Sequence, residues 1–540
     1  MLQLPSYALI VLALPSCLMA DESVNELLDE RVRAHVEFLA DDLLAGREAG
    51  TPGYDLAARY VASQFRQLAL VPAGNDDGYL HAVPLRSAWL DQPGVVLTWS
   101  VEDEEQTFAF GDDYLVGGNT RHRELDICAP LLFAGYGIEA PELDHDDYEG
   151  LDAAGKIVVV LSQKPLHFPS EEGAHFGSRE AKRKAADRHG AVGMVTIRTP
   201  RHDVRAPWAK SVARVGMPDM AWLERNAPFP VRNSLAFTLS LRHESAEALF
   251  DDAPLSLDEL LDRDEAGAAL QGFELPGEIR FAQRSRHEDL TSPNVLALFV
   301  GSDPSLRHEI VLYTAHLDAL GTLEKSEKGD AIVNGALDNA AGVAVMLETA
   351  RRFAGRTAPR RSLMFAAVTA EEKGLLGSDY LARHPVFADR EIVAVINLDM
   401  PLVLYDFADV IAFGAEHSTL SEAVRKAAAA FDTELSPDPF PEESIFVRSD
   451  HYNFVKQGIP SIFVVTGLNS RDENEDGREI VKRFRLTHYH SATDDVNLAI
   501  DFAAAARFTR INHRIGEIVA NDPEAPEWHA GDFFGETFGK

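Results

Sequence analysis

The chain has 540 residues, of which 46% are hydrophobic, and its 51 basic and 86 acidic residues give a formal charge of -35. This length predicts a globular protein of two or more domains, because one hydrophobic core rarely serves so many residues. The negative charge argues against nucleic acid or an anionic membrane surface as a partner.

Residues 1–20 are typical of an export signal. They contain a short apolar run and end before the acidic start of the predicted mature chain at Asp21. The run is shorter than the ~20 residues of a spanning helix, so we expect no membrane insertion of the mature chain. The sequence therefore predicts a periplasmic or extracellular protein, with lipid anchoring through Cys17 as the alternative. Cleavage leaves Cys128 as the only cysteine, which excludes an internal disulfide.

Residues 21–126 are predicted to form the N-terminal part of a catalytic domain. Apolar residues recur at helical spacing in 31–43 and again in 57–70. The glycines and the proline of Gly46–Gly53 indicate a loop between these two helices. Strand-like runs complete the segment.

A second α/β pattern occupies residues 127–287 and predicts a domain inserted into the first. Apolar strand patterns at 156–161 and 192–197 flank a basic helical pattern at 179–189. The histidines of this region lack the spacing of metal ligands. We therefore expect the insert to shape the cleft without contributing to the chemistry.

Strand and helix patterns alternate over residues 288–520, which predicts the main part of an α/β domain with helices on both faces of its sheet. Residues 521–540 are predicted to be a C-terminal tail. Polar residues directly follow three of the predicted strands: His316 and Asp318, Glu371 and Glu372, and Asp399. Because open α/β sheets bind ligands at the carboxyl ends of their strands, this arrangement predicts a site.

Asp338 lies between a glycine turn and the start of an apolar helix, a position where an aspartate most often caps the helix. If it converges with the acidic residues after the strands, several carboxylates share one crevice. They cannot all stay ionised unless cations neutralise them or some take up protons. Carboxylates mixed with imidazole suit zinc, so the sequence favours a zinc site.

Six motifs in order resemble the zinc peptidases of family M28, the aminopeptidase and glutamate-carboxypeptidase group. The motifs are TAHLDALG (314–321), NGALDNAAG (334–342), AEEKGLLGS (370–378), NLDM (397–400), RSDHYNF (448–454) and YHSATDD (489–495). Residues 131–161 are similar to the protease-associated (PA) domain often inserted in this family. The resemblance implies a three-layer αβα catalytic domain with a mixed central sheet, interrupted by a smaller PA-like domain, that hydrolyses peptides or proteins.

The resemblance also implies two zinc ions per chain. By position, their ligands are His316 and Asp399 on one ion, Glu372 and His490 on the other, and Asp338 on both. The last ligand is His490 because the family pattern Tyr-His-x-x-x-Asp fits residues 489–494, and His488 is the alternative.

The resemblance further implies two residue roles and one backbone feature. Glu371 is the general base. Asp318 holds the imidazole of His316 through a hydrogen bond that fixes its tautomer. The peptide bond between Asp338 and Asn339 is cis, which is costly before a residue other than proline.

The sequence favours an exported dizinc aminopeptidase. The alternatives are a carboxypeptidase or a glutaminyl cyclase of the same fold, and an inert receptor-like ectodomain, which the complete ligand set argues against. A carboxypeptidase needs a cation for the terminal carboxylate. Arg448 is the only cation near the predicted site in the sequence, and Asp450 is expected to neutralise it. Arg448, Asp450 and His451 are the candidate substrate-binding residues.

Overall fold

The structure, a computed structural model, describes residues 16–230, 235–323 and 329–539. Residues 1–15 of the predicted export signal therefore lie outside the described residues. No helix within the described ranges has both the length and the apolar character needed to cross a bilayer. Cys128 is an exposed free thiol.

The helices are α1 Ser16–Leu39, α2 Pro52–Gln67, α3 Ser170–Gly177, α4 Arg179–Arg188, α5 Pro200–Arg205, α6 Trp208–Val212, α7 His243–Ala246, α8 Leu257–Glu265, α9 Ala341–Ala354, α10 Leu376–Arg383, α11 Leu420–Ala429, α12 His451–Val455, α13 Gly477–Thr487, α14 Phe502–Asn521 and α15 Phe533–Phe538. The strands are β1 Val71–Pro72, β2 Leu80–Leu90, β3 Val96–Val101, β4 Glu104–Thr107, β5 Tyr114–Leu115, β6 Glu124–Phe133, β7 Glu139–Ala140, β8 His145–Asp146, β9 Ile157–Leu161, β10 Gly193–Arg198, β11 Asp219–Glu224, β12 Ala227–Pro228, β13 Phe237–Arg242, β14 Phe273–Phe299, β15 Glu309–His316, β16 Gly321–Thr322, β17 Ile332–Val333, β18 Ser362–Val368, β19 Glu391–Leu398, β20 Asp409–Phe413, β21 Glu434–Ser436 and β22 Ser461–Thr466.

The larger sheet is mixed and follows the order β11-β2-β14-β18-β15-β19-β22-β20-β21. Its four central strands, β18, β15, β19 and β22, run parallel to one another. Strand β14 pairs antiparallel with β18, and β20 pairs antiparallel with β22. Strand β18 is buried along its whole length, as its continuous apolar run predicts.

Helices cover both faces of this sheet. Residues of α1, α2, α9 and α14 pack into one hydrophobic core against it. A smaller core on the other face includes Leu381 of α10 and Phe454 of α12. The structure thus confirms the predicted α/β class with a mixed central sheet.

The smaller sheet follows the order β4-β3-β14-β6-β9-β10-β13-β5. Strands β3 to β5 belong to this sheet, and Leu97 and Tyr114 complete its core. The insert therefore begins near residue 95 and not at 127. Alternating strand patterns could not assign these strands to one sheet or the other.

The predicted boundary between residues 287 and 288 falls inside a continuous strand. The first part of β14 pairs with β6 of the insert, and the second part pairs with β2 and β18 of the larger sheet. Strand β11, although within the predicted insert, also pairs with β2. The two units therefore share backbone pairing, so no flexible linker joins them at this point.

The predicted tail at residues 521–540 is part of the folded body. Phe534 of α15 is fully buried and packs against Phe446. Asp532 pairs with Nδ1 of His417, whose Nε2 pairs with Glu171 of the insert. The C-terminal segment therefore helps to hold the insert against the larger sheet.

Candidate active site

The polar residues predicted from strand ends do converge. His316 is the last residue of β15, Asp399 directly follows β19, and Glu372 lies in the loop after β18. Asp338 lies in the irregular turn that precedes α9, and His490 follows α13. Parallel strands bring the first three to one edge of the sheet, and two loops supply the others.

Asp338 lies at the centre of the cluster, with one carboxylate oxygen toward each histidine. His316 Nε2 is 3.2 Å from Asp338 Oδ1 and 3.1 Å from Asp399 Oδ1. His490 Nε2 is 3.2 Å from Asp338 Oδ2 and 3.1 Å from Glu372 Oε2. Two groups of ligand-type side chains thus meet at a shared carboxylate.

Glu371 belongs to the first of these groups. One of its carboxylate oxygens lies within 4.8 Å of ligand-type atoms of His316 and Asp399. His488, the alternative ligand, belongs to neither group of ligand-type side chains among the described residues, and its Nδ1 contacts the carbonyl and hydroxyl oxygens of Thr493 at 3.0 and 2.9 Å.

Asp318 does not hold His316 in the predicted way. Its backbone carbonyl lies 3.1 Å from Nδ1 of His316, whereas its nearest carboxylate oxygen is 4.0 Å away. The carboxylate accepts instead from the backbone N–H groups of Glu371 and Glu372, at 3.1 and 3.2 Å. Asp318 thus positions the Glu371-Glu372 backbone, and the imidazole tautomer is fixed by a carbonyl.

A chain of hydrogen bonds orients Asp399. Ser449 donates to Asp399 Oδ2 at 2.6 Å and accepts from the Asn397 amide at 2.7 Å. The Asn397 carbonyl oxygen accepts from Thr314 at 2.7 Å. Sequence reasoning missed Ser449, although it lies in the quoted RSDHYNF motif.

Two other side chains hold Asp338 in place. The carboxylate of Asp494 accepts from the backbone N–H groups of Leu337 and Asp338, at 2.9 and 3.0 Å. Asn339 donates to the carbonyl of Leu398 at 3.0 Å, and the Asp338–Asn339 peptide bond is cis, as the resemblance implies. These contacts fix the turn that carries the central carboxylate.

Burying several ionised carboxylates around the cluster is energetically unfavourable unless cations neutralise them. Burial raises the pKa of Asp318 to about 6 and that of Asp450 and Asp494 to about 7. Burial also raises the pKa of Glu371 well above its usual range, although His316 opposes this shift. A bound cation favours the ionised form of such groups.

Arg47, in the predicted Gly46–Gly53 loop, hydrogen-bonds to two loops of the site, the one after β15 and the one before α9. Its guanidinium is 1% exposed and donates to the carbonyls of Leu317 at 2.9 Å and Asn334 at 2.6 Å. It also donates to Gly335 at 3.2 Å. The loop is therefore a structural support of the site and not a simple connector.

We expect Arg47→Met to lower the free energy of unfolding by about 3–5 kcal/mol, because it leaves buried carbonyls without a donor and removes a buried positive charge beside acids. Thermal and urea unfolding measure this loss. Arg59→Met, at an exposed position of α2, is the matched control and should change stability little. Equal stability of the two variants would contradict this role for Arg47.

The three candidate substrate-binding residues differ in their exposure to solvent. Arg448 is exposed and lies 3.4 Å from the hydroxyl of Tyr489. Asp450 and His451 are fully buried, and the His451 ring packs between Phe446 and Phe463. His451 is therefore a core residue, because its side chain has no exposed surface and packs on aromatic rings.

The predicted ion pair between Arg448 and Asp450 is not among the ion pairs of the described residues. The two side chains differ in environment, since Arg448 faces solvent and Asp450 is inside the acidic cluster.

Arg214, a residue of the insert, reaches the site. Nη2 of Arg214 lies 2.7 Å from Nδ1 of His490. No motif or spacing marks Arg214 in the sequence, so only the folded arrangement identifies it.

The residues present fit a divalent metal. Each group offers imidazole nitrogen and carboxylate oxygen atoms that lie within 4.8 Å of one another, a donor set that suits zinc or a similar transition metal. One buried oxygen of the central carboxylate, Asp338 Oδ2, has no well-directed hydrogen bond. A ligand role explains both observations.

Comparison with known proteins agrees with this geometry. Residues 294–515, which include the six motifs, match Peptidase family M28. A "Probable zinc metalloprotease" of Pyrenophora teres f. teres is 41% identical over 106 residues, covering 20% of this chain and 22% of that protein. Aminopeptidase NAALADL1 of Mus musculus is 34% identical over 134 residues, covering 24% of this chain and 16% of that protein.

The chain thus spans less than a quarter of the length of these two curated relatives. A solved structure, an aminopeptidase from Aneurinibacillus sp. strain AM-1, aligns over 94% of this chain and 97% of its own, with 19% identity and a TM-score of 0.54. That likeness shows a shared fold over nearly the whole chain.

Proposed function

We propose that this protein is a dizinc aminopeptidase that releases residues from unblocked amino termini, a proposal supported by the match of residues 294–515 to Peptidase family M28. The observation that carries the proposal is the shared carboxylate of Asp338, which has one oxygen toward each of two histidines. Relatives named as zinc metalloproteases support zinc as the metal.

His316 and Asp399 would hold one ion, Glu372 and His490 the other, and Asp338 both. When bound, zinc supplies Lewis-acid polarisation of a substrate carbonyl and lowers the pKa of a water. The hydrogen bonds from Ser449 to Asp399 and from Asp494 to the Asp338 backbone keep these ligands oriented.

Glu371 is the group in this chain that moves protons. Its carboxylate lies at the cluster but, in the proposed arrangement, holds neither metal, so it can accept a proton from the attacking water. It then delivers that proton to the leaving amine. The backbone N–H bonds to Asp318 hold Glu371 in position for both transfers.

Recognition of an amino terminus fits the charge of the site better than recognition of a carboxylate. The cluster contributes four acidic side chains around the proposed metals: Asp338, Glu371, Glu372 and Asp399. A terminal ammonium is attracted by such a set, and the negative chain draws cationic termini by long-range electrostatics. Apolar terminal residues are favoured by analogy with the family.

Blocking each end of a substrate tests which end is cut. We expect acetylation of the amino terminus of a pentapeptide to abolish hydrolysis, because it removes the ammonium. Amidation of its carboxyl terminus should leave hydrolysis in place. Chromatography of the products, with the unmodified pentapeptide as control, measures both. The reverse pattern would indicate a carboxypeptidase and make Arg448 the first residue to replace.

Export from the cytoplasm, through cleavage near Asp21, is part of this proposal and rests on residues 1–20 alone. Amino-terminal sequencing of the protein recovered from its native host tests it. An intact Met1 would contradict cleavage, and a lipidated Cys17 would replace it with membrane anchoring.

A further inference from the structure

The loop after β18, residues 369–375, is a strained turn that carries Glu371 and Glu372, and we call it the Glu371 turn. Ala370 and Leu375 adopt left-handed backbone conformations in it, with φ of 53° and 59°. Residues that have a side chain rarely adopt this conformation, and they keep it only where their surroundings hold them. The shape of the Glu371 turn therefore depends on contacts with the rest of the site.

Hydrogen bonds within the Glu371 turn fix its shape but not its place in the site. The carbonyl of Glu371 accepts from the backbone N–H groups of Gly374 and Leu375, at 2.8 and 2.9 Å. The carboxylate of Asp318 holds the turn from one side through the N–H groups of Glu371 and Glu372. A second anchor is needed to hold the other side.

Lys373 provides this second anchor. Its Nζ lies 2.8 Å from Oε1 of Glu48, and the two side chains are 5% and 21% exposed. Removing one partner of a buried ion pair leaves the other charge buried without compensation. The pair therefore links the Glu371 turn to the Gly46–Gly53 loop.

The position of Glu48 is itself closely restricted. Its side chain lies against the backbone of Gly321 at the start of β16, where an added Cβ would be 2.8 Å from the Cβ of Glu48 and 2.9 Å from its Oε2. Next to this contact, Ala49 and Ala370 pack in one small core with Trp222 of β11. The loop and the Glu371 turn are therefore joined by apolar packing as well as by the ion pair.

The residue before Glu48 holds the other segments of the site. Arg47 donates to carbonyls in the segment that follows His316 and in the segment that precedes Asp338. Two consecutive residues of one loop thus reach three segments that carry candidate metal ligands. The loop is placed to keep these segments in register with one another.

We propose that Lys373 and Glu48 are positioning residues that keep the Glu371 turn in the conformation that the site requires. The consequence for catalysis rests on the proposed function, in which Glu371 transfers protons and Glu372 holds an ion. Loss of the pair lets the turn relax from its left-handed conformation and displaces both carboxylates. Lys373 and Glu48 therefore act on the reaction through the turn.

Hydrogen exchange of the protein as isolated tests the positioning without reference to activity. We expect Lys373→Met to speed exchange of the Glu371 and Glu372 N–H groups by about tenfold or more, because local opening of the turn exposes them. Lys373→Arg keeps the charge and should retain most of the protection. Lys156→Met is the matched control, since it breaks a lysine–glutamate pair inside the insert and should leave these two N–H groups unchanged.

Steady-state kinetics at saturating zinc measures the consequence for the reaction. Lys373→Met should lower kcat for leucine 4-nitroanilide by about 10–100-fold, as replacing a residue that orients a metal ligand does, and leave KM near its original value. Glu48→Gln should give a similar loss. The double variant should lose no more than the worse single variant, because both substitutions act through one pair.

Unchanged exchange of the Glu371 and Glu372 N–H groups in Lys373→Met would overturn this inference, as would an unchanged kcat. Equally faster exchange throughout the protein would also overturn it, because that result indicates a general loss of stability. Failure of the parent enzyme to hydrolyse leucine 4-nitroanilide would overturn the proposed function instead, since the exchange experiment needs no activity.

Discussion

Asp338→Ala is expected to cause the largest loss of metal of any single ligand substitution in this protein. Asp338 faces His316 with one carboxylate oxygen and His490 with the other, so its removal takes a ligand from both proposed ions. Replacing a residue that only hydrogen-bonds to a metal ligand lowers metal affinity by about 10–100-fold. Loss of a shared ligand should exceed that range and reduce peptidase activity to background.

Zinc content by elemental analysis and hydrolysis of an unblocked peptide measure the two effects. Asp389→Ala removes an exposed aspartate outside the cluster and should keep the full metal content and activity. His490→Ala should lose less metal than Asp338→Ala, because His490 faces one group only. A fully zinc-loaded Asp338→Ala protein would contradict the bridging role.

The parts of the site that the sequence predicted are those set by strand ends and motifs. His316, Glu372 and Asp399 follow strands whose apolar runs are unmistakable, so their convergence follows from the parallel sheet. Contacts that depend on loop paths were not predictable in the same way. Asp318 illustrates this limit, because its carboxylate turns toward two backbone N–H groups while its carbonyl faces the histidine.

Arg47 and Arg214 show why the supports of the site were harder to find. Arg47 lies about 270 residues from Leu317 in the chain, and its role depends on carbonyls, which carry no side-chain pattern. Arg214 belongs to a basic segment whose charges, taken one by one, resemble a solvated surface. Only tertiary structure distinguishes the arginine that contacts His490 from those that face solvent.

The sequence could not locate the domain boundaries for a related reason. Strand patterns predict that a segment is extended but do not specify its partner, so β3 to β5 could be placed with either sheet. Continuous strand β14 then carries the chain from one sheet into the other without a loop. Composition and turn signals cannot mark such a boundary, because the chain does not change its local structure there.

Glu371→Gln is expected to separate proton transfer from metal binding. Glutamine keeps the size of the side chain and the backbone bond to Asp318, but it cannot accept the proton of the attacking water. If Glu371 is the base and no ligand, kcat should fall by about 10²–10⁴-fold while the zinc content stays unchanged. Glu391→Gln, at an exposed position of β19, is the control and should affect neither.

The outcome for zinc content decides the role of Glu371, because the position of its carboxylate admits both roles. It lies with His316 and Asp399 in one group of ligand-type atoms, which places it near enough to bind an ion as well as to accept a proton. A base that is no ligand leaves KM and metal affinity near their original values when it becomes glutamine, so that the loss falls on kcat. If Glu371 is a ligand, Glu371→Gln should lower the metal content and the activity together, and added zinc should restore part of the activity. Loss of about one zinc equivalent in Glu371→Gln would therefore assign Glu371 to the metal and leave the proton transfer to another group.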